Sequence, residues 1–177
     1  KVMSSDIKRE HFIAVDNYIS DLLKPSDGVL DSVERSIVES GIPQISVSAN
    51  QGKFLQVMAR AAGARKILEV GTLGGYSTIF MARALPRGGR LITLEIDPKH
   101  AEVARQNIAK AGLSDKVSIR IGPAIEVLPK LHAEGAGPFD MIFIDADKPP
   151  YAEYFQWALK LSRPGTVIIA DNVIREG

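Results

Sequence analysis

The chain has 177 residues, 45% of them hydrophobic and 24% charged, with a formal net charge of +1. That length buries the core of one domain, and the near-neutral balance gives no electrostatic case for nucleic acid or an anionic membrane as partner. There is no cysteine, which excludes disulfides, a thiolate nucleophile and Cys-ligated zinc and suits a cytoplasmic protein. No apolar run approaches the roughly 20 residues of a membrane span, and KVMSSDIKREHF lacks the apolar stretch of a signal peptide. Lys1 is not an initiator methionine, so the encoded chain is expected to start earlier.

Helices are predicted first. Phe12, Val15, Ile19 and Leu22 recur at helical spacing, and Leu30, Val33 and Ile37 do so on a second helix. Lys24-Pro25-Ser26-Asp27-Gly28 separates the two, and Gly41-Ile42-Pro43 ends the second. A third helix, about Gln51 to Ala62, is predicted to bury Phe54, Leu55, Met58 and Ala62. From Lys66 the rhythm changes to strand-like runs, KILEV, RLITLEI, KVSIRI, FDMIFID and TVIIAD. Helical segments fall between them, after Gly75, Asp97, Ala124 and Pro150. Such alternation predicts a mostly parallel α/β sheet with helices on both faces. MIFI and VIIA are continuous apolar runs, as central strands buried on both sides require. Asp97 is placed to cap a helix with Pro98 at its first position. Tyr151, Tyr154, Phe155, Ala158 and Leu159 share one predicted helical face, with Trp157 off it. TVIIAD as a last strand leaves a long apolar edge, which proteins normally cover, so further C-terminal strands are expected in the natural protein. The whole of 1–177 reads as a single domain, helices over 1–63 and an α/β core over 64–177.

The stretch KILEVGTLGGYST, Lys66 to Thr78, carries the most information. A strand ends at Glu69-Val70, Gly71 lets the backbone turn, and Gly74-Gly75 allow close approach to a ligand at the next helix N-terminus. The spacing is not the G-x-G-x-x-G of dinucleotide folds. S-adenosylmethionine has no phosphate and carries cationic amino and sulfonium groups, which makes Glu69 beside the loop apt. The next strand delivers Glu95, where a carboxylate can accept both ribose hydroxyls. Asp97 competes for that role but has the capping task. Gly122-Pro123-Ala124, after the third strand, is placed to hold the adenine edge through backbone groups.

A second constellation follows strands four and five. IDADK places Asp145, Asp147 and Lys148 at one strand end, and ADN places Asp171 and Asn172 at another. In an open parallel sheet ligands bind outside the C-terminal strand ends, and neighbouring strands lie about 4.8 Å apart. Asp145, Asp171 and Asn172 then make a hard, all-oxygen half-shell suited to Mg²⁺, with Mn²⁺ or Ca²⁺ compatible. A lysine beside a metal and a sulfonium releases its proton more readily, so Lys148 would serve as general base. Asp140 and Asp147 read as strand-end or capping residues. His11, His100 and His132, none paired at metal-ligand spacing, read as structural.

LEVGTLGGYST, EIDPKHAEVARQN, IDADKPPY and ADNV together resemble the cation-dependent O-methyltransferases, the group of catechol and caffeoyl-coenzyme A O-methyltransferases, and most of all their small bacterial members. The resemblance covers nearly the whole chain, ISVSANQGKFLQ included. It implies a class I S-adenosylmethionine-dependent methyltransferase (Rossmann-like) fold and a homodimer, with the N-terminal helices near the active site. By matching motif it implies Val47, Glu69, Gly71, Ser77, Glu95, Ala124 and Asp145 in the cofactor pocket. Asp145, Asp171 and Asn172 would hold the metal and Lys148 would be the base, with Tyr151 at an aromatic position after it. The reaction expected is methyl transfer from S-adenosylmethionine to a hydroxyl of a small vicinal dihydroxy aromatic substrate. Two alternatives are weaker. Lys148-Pro149-Pro150-Tyr151 is similar to the [DNS]-P-P-Y motif of N-methyltransferases, but a protonated lysine cannot accept a hydrogen bond from a target amino group. A NAD-dependent oxidoreductase could use Glu95 but lacks its glycine pattern.

Overall fold

The computed structural model describes residues 2–23 and 25–173. Lys24, in the first predicted connector, lies outside the described residues. The chain runs α1 (Val2–Leu23), α2 (Gly28–Glu39), α3 (Ala49–Ala61), β1 (Lys66–Val70), α4 (Tyr76–Ala84), β2 (Arg90–Glu95), α5 (Pro98–Lys110), β3 (Val117–Ile121), α6 (Ala124–Ala133), β4 (Met141–Ile144), α7 (Tyr151–Lys160) and β5 (Val167–Ala170). The five strands are parallel in the order β3-β2-β1-β4-β5. The order reverses between β1 and β4, and an open parallel sheet forms its ligand crevice at such a point.

Alternation along each strand sends side chains to two separate cores. Ile67, Leu91, Met141 and Phe143 pack under α2, α3, α4 and α5. Leu68, Val70, Leu94, Ile142 and Ile144 pack under α6 and α7. The helices after β1 and β2 thus cover one face and those after β3 and β4 the other, as right-handed crossovers on either side of a reversal require.

Side-chain caps start α2, α3 and α5 where they begin. Asp27 accepts from the backbone N–H of Val29 and Leu30, both at 3.0 Å, and pairs with Arg83 at 2.8 Å. Burial raises the Asp27 carboxyl, but these hydrogen bonds outweigh it and hold the group below its usual range. Ser48 and Gln51 form a reciprocal capping box on α3. Asp97 caps α5 through Lys99 N at 2.7 Å, with Pro98 in the first turn as expected.

Three helical faces differ from the sequence expectation. On α3 the buried residues are Gly52, Leu55, Gln56 and Ala59, while Phe54 is 54% exposed. Phe80 occupies that place: a Cβ on Gly52 would lie 2.4 Å from its ring. On α7 the buried line is Tyr154 and Ala158, and Phe155 and Leu159 face outward. Trp157 is half-buried against the second core, beneath Lys160. On α1, Phe12, Val15 and Leu22 are exposed, and the helix is tied down through Asn50, which donates to Asp16 and Ser20. Among the described residues no helix is long and apolar enough to cross a membrane.

Candidate active site

The C-terminal ends of β1, β2 and β4 open into one cavity of about 750 Å³. Of the residues singled out in the sequence, Val47, Gly71, Ser77, Glu95, Ala124, Asp145, Lys148 and Asn172 line it. Gly122 and Pro123 line it too.

Gly71, just past β1, donates its N–H to the Leu94 carbonyl of β2 and packs against the backbone just past β4. Its φ is +102°, and a Cβ there would lie 2.0 Å from the Asp145 carbonyl oxygen, so only glycine fits. The loop beyond it is fastened by Glu95, which is 6% exposed. Oε2 accepts from Thr72 N at 3.2 Å and Leu73 N at 2.7 Å, and Oε1 accepts from Asp97 N at 3.0 Å. A carboxylate oxygen has about two lone pairs, so Oε2 is filled by the loop and Oε1 retains room. The two-oxygen grip on a ribose read from sequence therefore competes with loop bonds at Oε2. Asp97, the rival for that role, caps α5 and does not line the cavity.

Glu69 does not line the cavity. The pleat of β1 turns it to the α4 side, where it is fully buried. It accepts from the Ser77 hydroxyl at 2.6 Å and the Thr78 hydroxyl at 2.5 Å. Burial pushes its carboxyl up to about 7, against the lowering effect of these hydroxyls. It acts behind the wall, holding the start of α4.

At the other end of the cavity, the Lys148 ammonium donates to Asp145 Oδ1 at 3.1 Å. The register carries Ile144 opposite Ala170, which makes Asp145 and Asp171 neighbours at adjacent strand tips. Asp171 N donates to the Ile144 carbonyl at 3.0 Å. The Tyr151 hydroxyl lies 2.7 Å from the Ile144 carbonyl and 2.5 Å from that of Asp171. Its single proton is shared between them, bracing the two tips. Burial and the nearby Asp145 and Asp171 push the Tyr151 phenol up to about 12. Asp171 does not line the cavity; its Oδ1 accepts from Asn172 N at 2.7 Å. Asn172 sits at φ +55°, a left-handed conformation that asparagine tolerates better than most residues.

Two residues read as unremarkable in the sequence belong to the cavity wall. His100 places Nδ1 3.6 Å from Glu95 Oε1. The signal was its place in the first turn of the helix after Glu95. Asp147 accepts from the Tyr154 hydroxyl at 2.6 Å, and burial together with this bond raises the Tyr154 phenol.

The arrangement offers a rigid backbone cradle at one end and hard oxygens with a lysine at the other. A family model described as O-methyltransferase matches residues 22–177. A catechol O-methyltransferase of Niastella koreensis is 68% identical over 94% of this chain and 75% of its own length. One of Mycobacterium tuberculosis is 49% identical over 92% of this chain and 73% of its own length. The crystal structure of the O-methyltransferase from Bacillus cereus in complex with SAH superposes with a TM-score of 0.89 at 55% identity, over 93% of this chain and 74% of that one. With these likenesses spanning the helices, the cradle and the acidic tips alike, the chain belongs to the O-methyltransferase family.

Proposed function

We propose that the protein transfers the methyl group of S-adenosylmethionine to one hydroxyl of a small vicinal dihydroxy aromatic compound, with a divalent cation, Mg²⁺ first among them, as helper. The observation that carries this reading is that a single cavity joins the glycine loop and Glu95 to Asp145, Lys148 and Asn172. A donor held at one end can meet an acceptor held at the other. The SAH in the Bacillus cereus relative's complex supports S-adenosylmethionine as the cofactor. Val47, Gly71, Ser77, Glu95, Ala124 and Asp145 would surround the cofactor, with Glu69 supporting Ser77 from behind.

By donor type the acidic tips suit a hard cation, although Asp171 does not line the cavity and, among the described residues, no three His, Asp or Glu side chains are clustered as a metal site. Two carboxylates and an amide oxygen are the donors such an ion prefers, and the ammonium of Lys148 on Asp145 Oδ1 is a cation already drawn there. Asp145, Asp171 and Asn172 would hold the ion, which would supply Lewis acidity that eases loss of the substrate's hydroxyl proton. Asp171 would have to turn its carboxylate from Asn172 N to do so. Lys148 Nζ, freed from Asp145, takes the hydroxyl proton. The oxygen then attacks the methyl carbon in line with the breaking C–S bond, releasing S-adenosylhomocysteine. The protein's largest contribution is alignment, up to roughly 7–11 kcal/mol in ideal cases. We propose a second copy of the chain as partner, seated on the exposed Phe12, Val15 and Leu22 of α1; sedimentation would show a dimer, and a monomer at every concentration would remove this part.

The deciding experiment follows label from methyl-labelled S-adenosylmethionine to vicinal diphenols and matched monophenols, with Mg²⁺ and with chelator. Transfer to diphenols alone, abolished by chelator, is expected. Metal-independent transfer would reduce Asp145, Asp171 and Asn172 to structural roles, and no transfer to any diphenol would overturn the acceptor.

A further inference from the structure

A buried amide outside the cavity grips the glycine loop from behind. Asn107, near the end of α5, is 0% exposed and does not line the cavity. Its Nδ2 donates to the Gly74 carbonyl at 2.9 Å. Its Oδ1 accepts from the Ser36 hydroxyl of α2 at 2.8 Å, a proton that Ser36 shares with the Val33 carbonyl at 2.8 Å. Helix α2 presses on the loop at the same point, since a Cβ on Gly74 would fall 2.4 Å from Ile37 Cγ1. The chain leaving α2 then forms a cavity wall through Pro43, Ile45 and Val47.

The loop needs a hold of this kind. Leu73 sits at φ +49°, a left-handed conformation that a side-chain-bearing residue keeps only when its surroundings enforce it. Glu95 fixes the loop's first N–H groups from the β2 side, and Asn107 fixes its Gly74 carbonyl from the α5 side. The amide supplies a donor for the Gly74 carbonyl and an acceptor for the Ser36 hydroxyl from one uncharged side chain.

We infer that Asn107 is a positioning residue for the cofactor. It sets α2 and its 43–47 extension in register with the glycine loop, and so fixes the shape of the cavity at the cofactor end. The cofactor's identity rests on the reading above; the anchoring of the loop does not.

The test measures S-adenosylhomocysteine affinity by calorimetry and amide hydrogen exchange of the ligand-free protein. Asn107→Leu is expected to weaken binding roughly tenfold and speed exchange at residues 72–77 by a similar factor, as loss of a buried hydrogen bond implies. Amides of 67–70 should keep their protection. Asn107→Asp separates positioning from bulk destabilisation. Its carboxyl supplies the same donor and acceptor only when protonated, a form that burial favours, so its binding relative to the unsubstituted protein at the same pH is expected to be strongest at the acid end and to fall as pH rises. Ser36→Ala, which cuts only the α2 arm, should weaken binding about threefold and carries the test if Asn107→Leu does not fold. Affinity and loop exchange within about twofold of the unsubstituted protein in a folded variant would overturn the inference. Failure of the unsubstituted protein to bind S-adenosylhomocysteine would overturn the cofactor reading, while loop exchange would still decide the anchor.

Discussion

The two ends of the cavity are built on opposite principles. At the glycine-loop end, the loop's groups are tied to fixed partners: Thr72 and Leu73 to Glu95, which also lines the cavity, and Gly74 to Asn107 and Ser77 to Glu69, which stand behind it. At the acidic end the groups satisfy one another. Lys148 pairs with Asp145, and Asp171 turns to Asn172. The first end is shaped before a ligand arrives and loses little on binding, which is how preorganisation raises affinity. The second holds charges in pairs that an incoming cation and substrate would exchange for new ones. Capture of the cofactor and chemistry on the acceptor are thus supported by separate sets of bonds.

Substitutions at each end should therefore have separable effects. The largest is expected from Lys148→Met, which removes the proposed base. kcat should drop roughly 10²–10⁴-fold, while S-adenosylhomocysteine binding by calorimetry stays close to that of the unsubstituted protein. Equal loss of both would show that the two ends are not independent. Gly71→Ala strikes where they meet. With a positive φ and the Asp145 carbonyl 2.0 Å from the new Cβ, destabilisation of about 3 kcal/mol or more is expected in denaturant melts, together with loss of binding.

Glu69 yields a pH signature. Its folded value of about 7 lies above the unfolded 4.5, so the folded state keeps a proton that the unfolded chain releases between those values. Its contribution to stability is therefore greatest below about pH 4.5 and declines as pH rises to about 7, by at most on the order of 3 kcal/mol. Glu69→Gln, a neutral replacement, should flatten that part of the stability–pH curve; an unchanged slope in urea melts at several pH values would place the charge elsewhere. The smallest effect is expected far from the cavity. Asp27→Ala removes the α2 cap and should lower stability by about 1 kcal/mol, read as a lower melting temperature with kcat unaltered.

Much of this architecture was legible in the residues. The central strands could be read because they are buried on two faces, so an apolar run such as MIFI stands out without any knowledge of neighbours, whereas the edge strands β3 and β5 are only partly covered. The strand-end positions of Glu95, Asp145 and Asn172 followed from the strands. Helical phase was harder. Periodicity on α3 fits Phe54 as well as Leu55, and only the position of Phe80 across from Gly52 decides between them. Glu69 shows a second limit. Alternation along β1 dictates that it faces away from Leu68 and Val70, but which face of the sheet borders the cavity depends on where α4 crosses. His100 was missed because ligand spacing was sought among histidines, when its nearest charged neighbour is Glu95.

The contact of Gly71 with the Asp145 carbonyl also bears on how far the two ends can vary separately. Side chains at the acidic tips share no hydrogen bond with the loop, so a change there can leave the loop's shape intact. Cofactor affinity can be retuned through the partners of the loop. Position 71 belongs to both ends by backbone alone, and any side chain there would drive the strands apart. A substitution there is therefore felt at both ends at once.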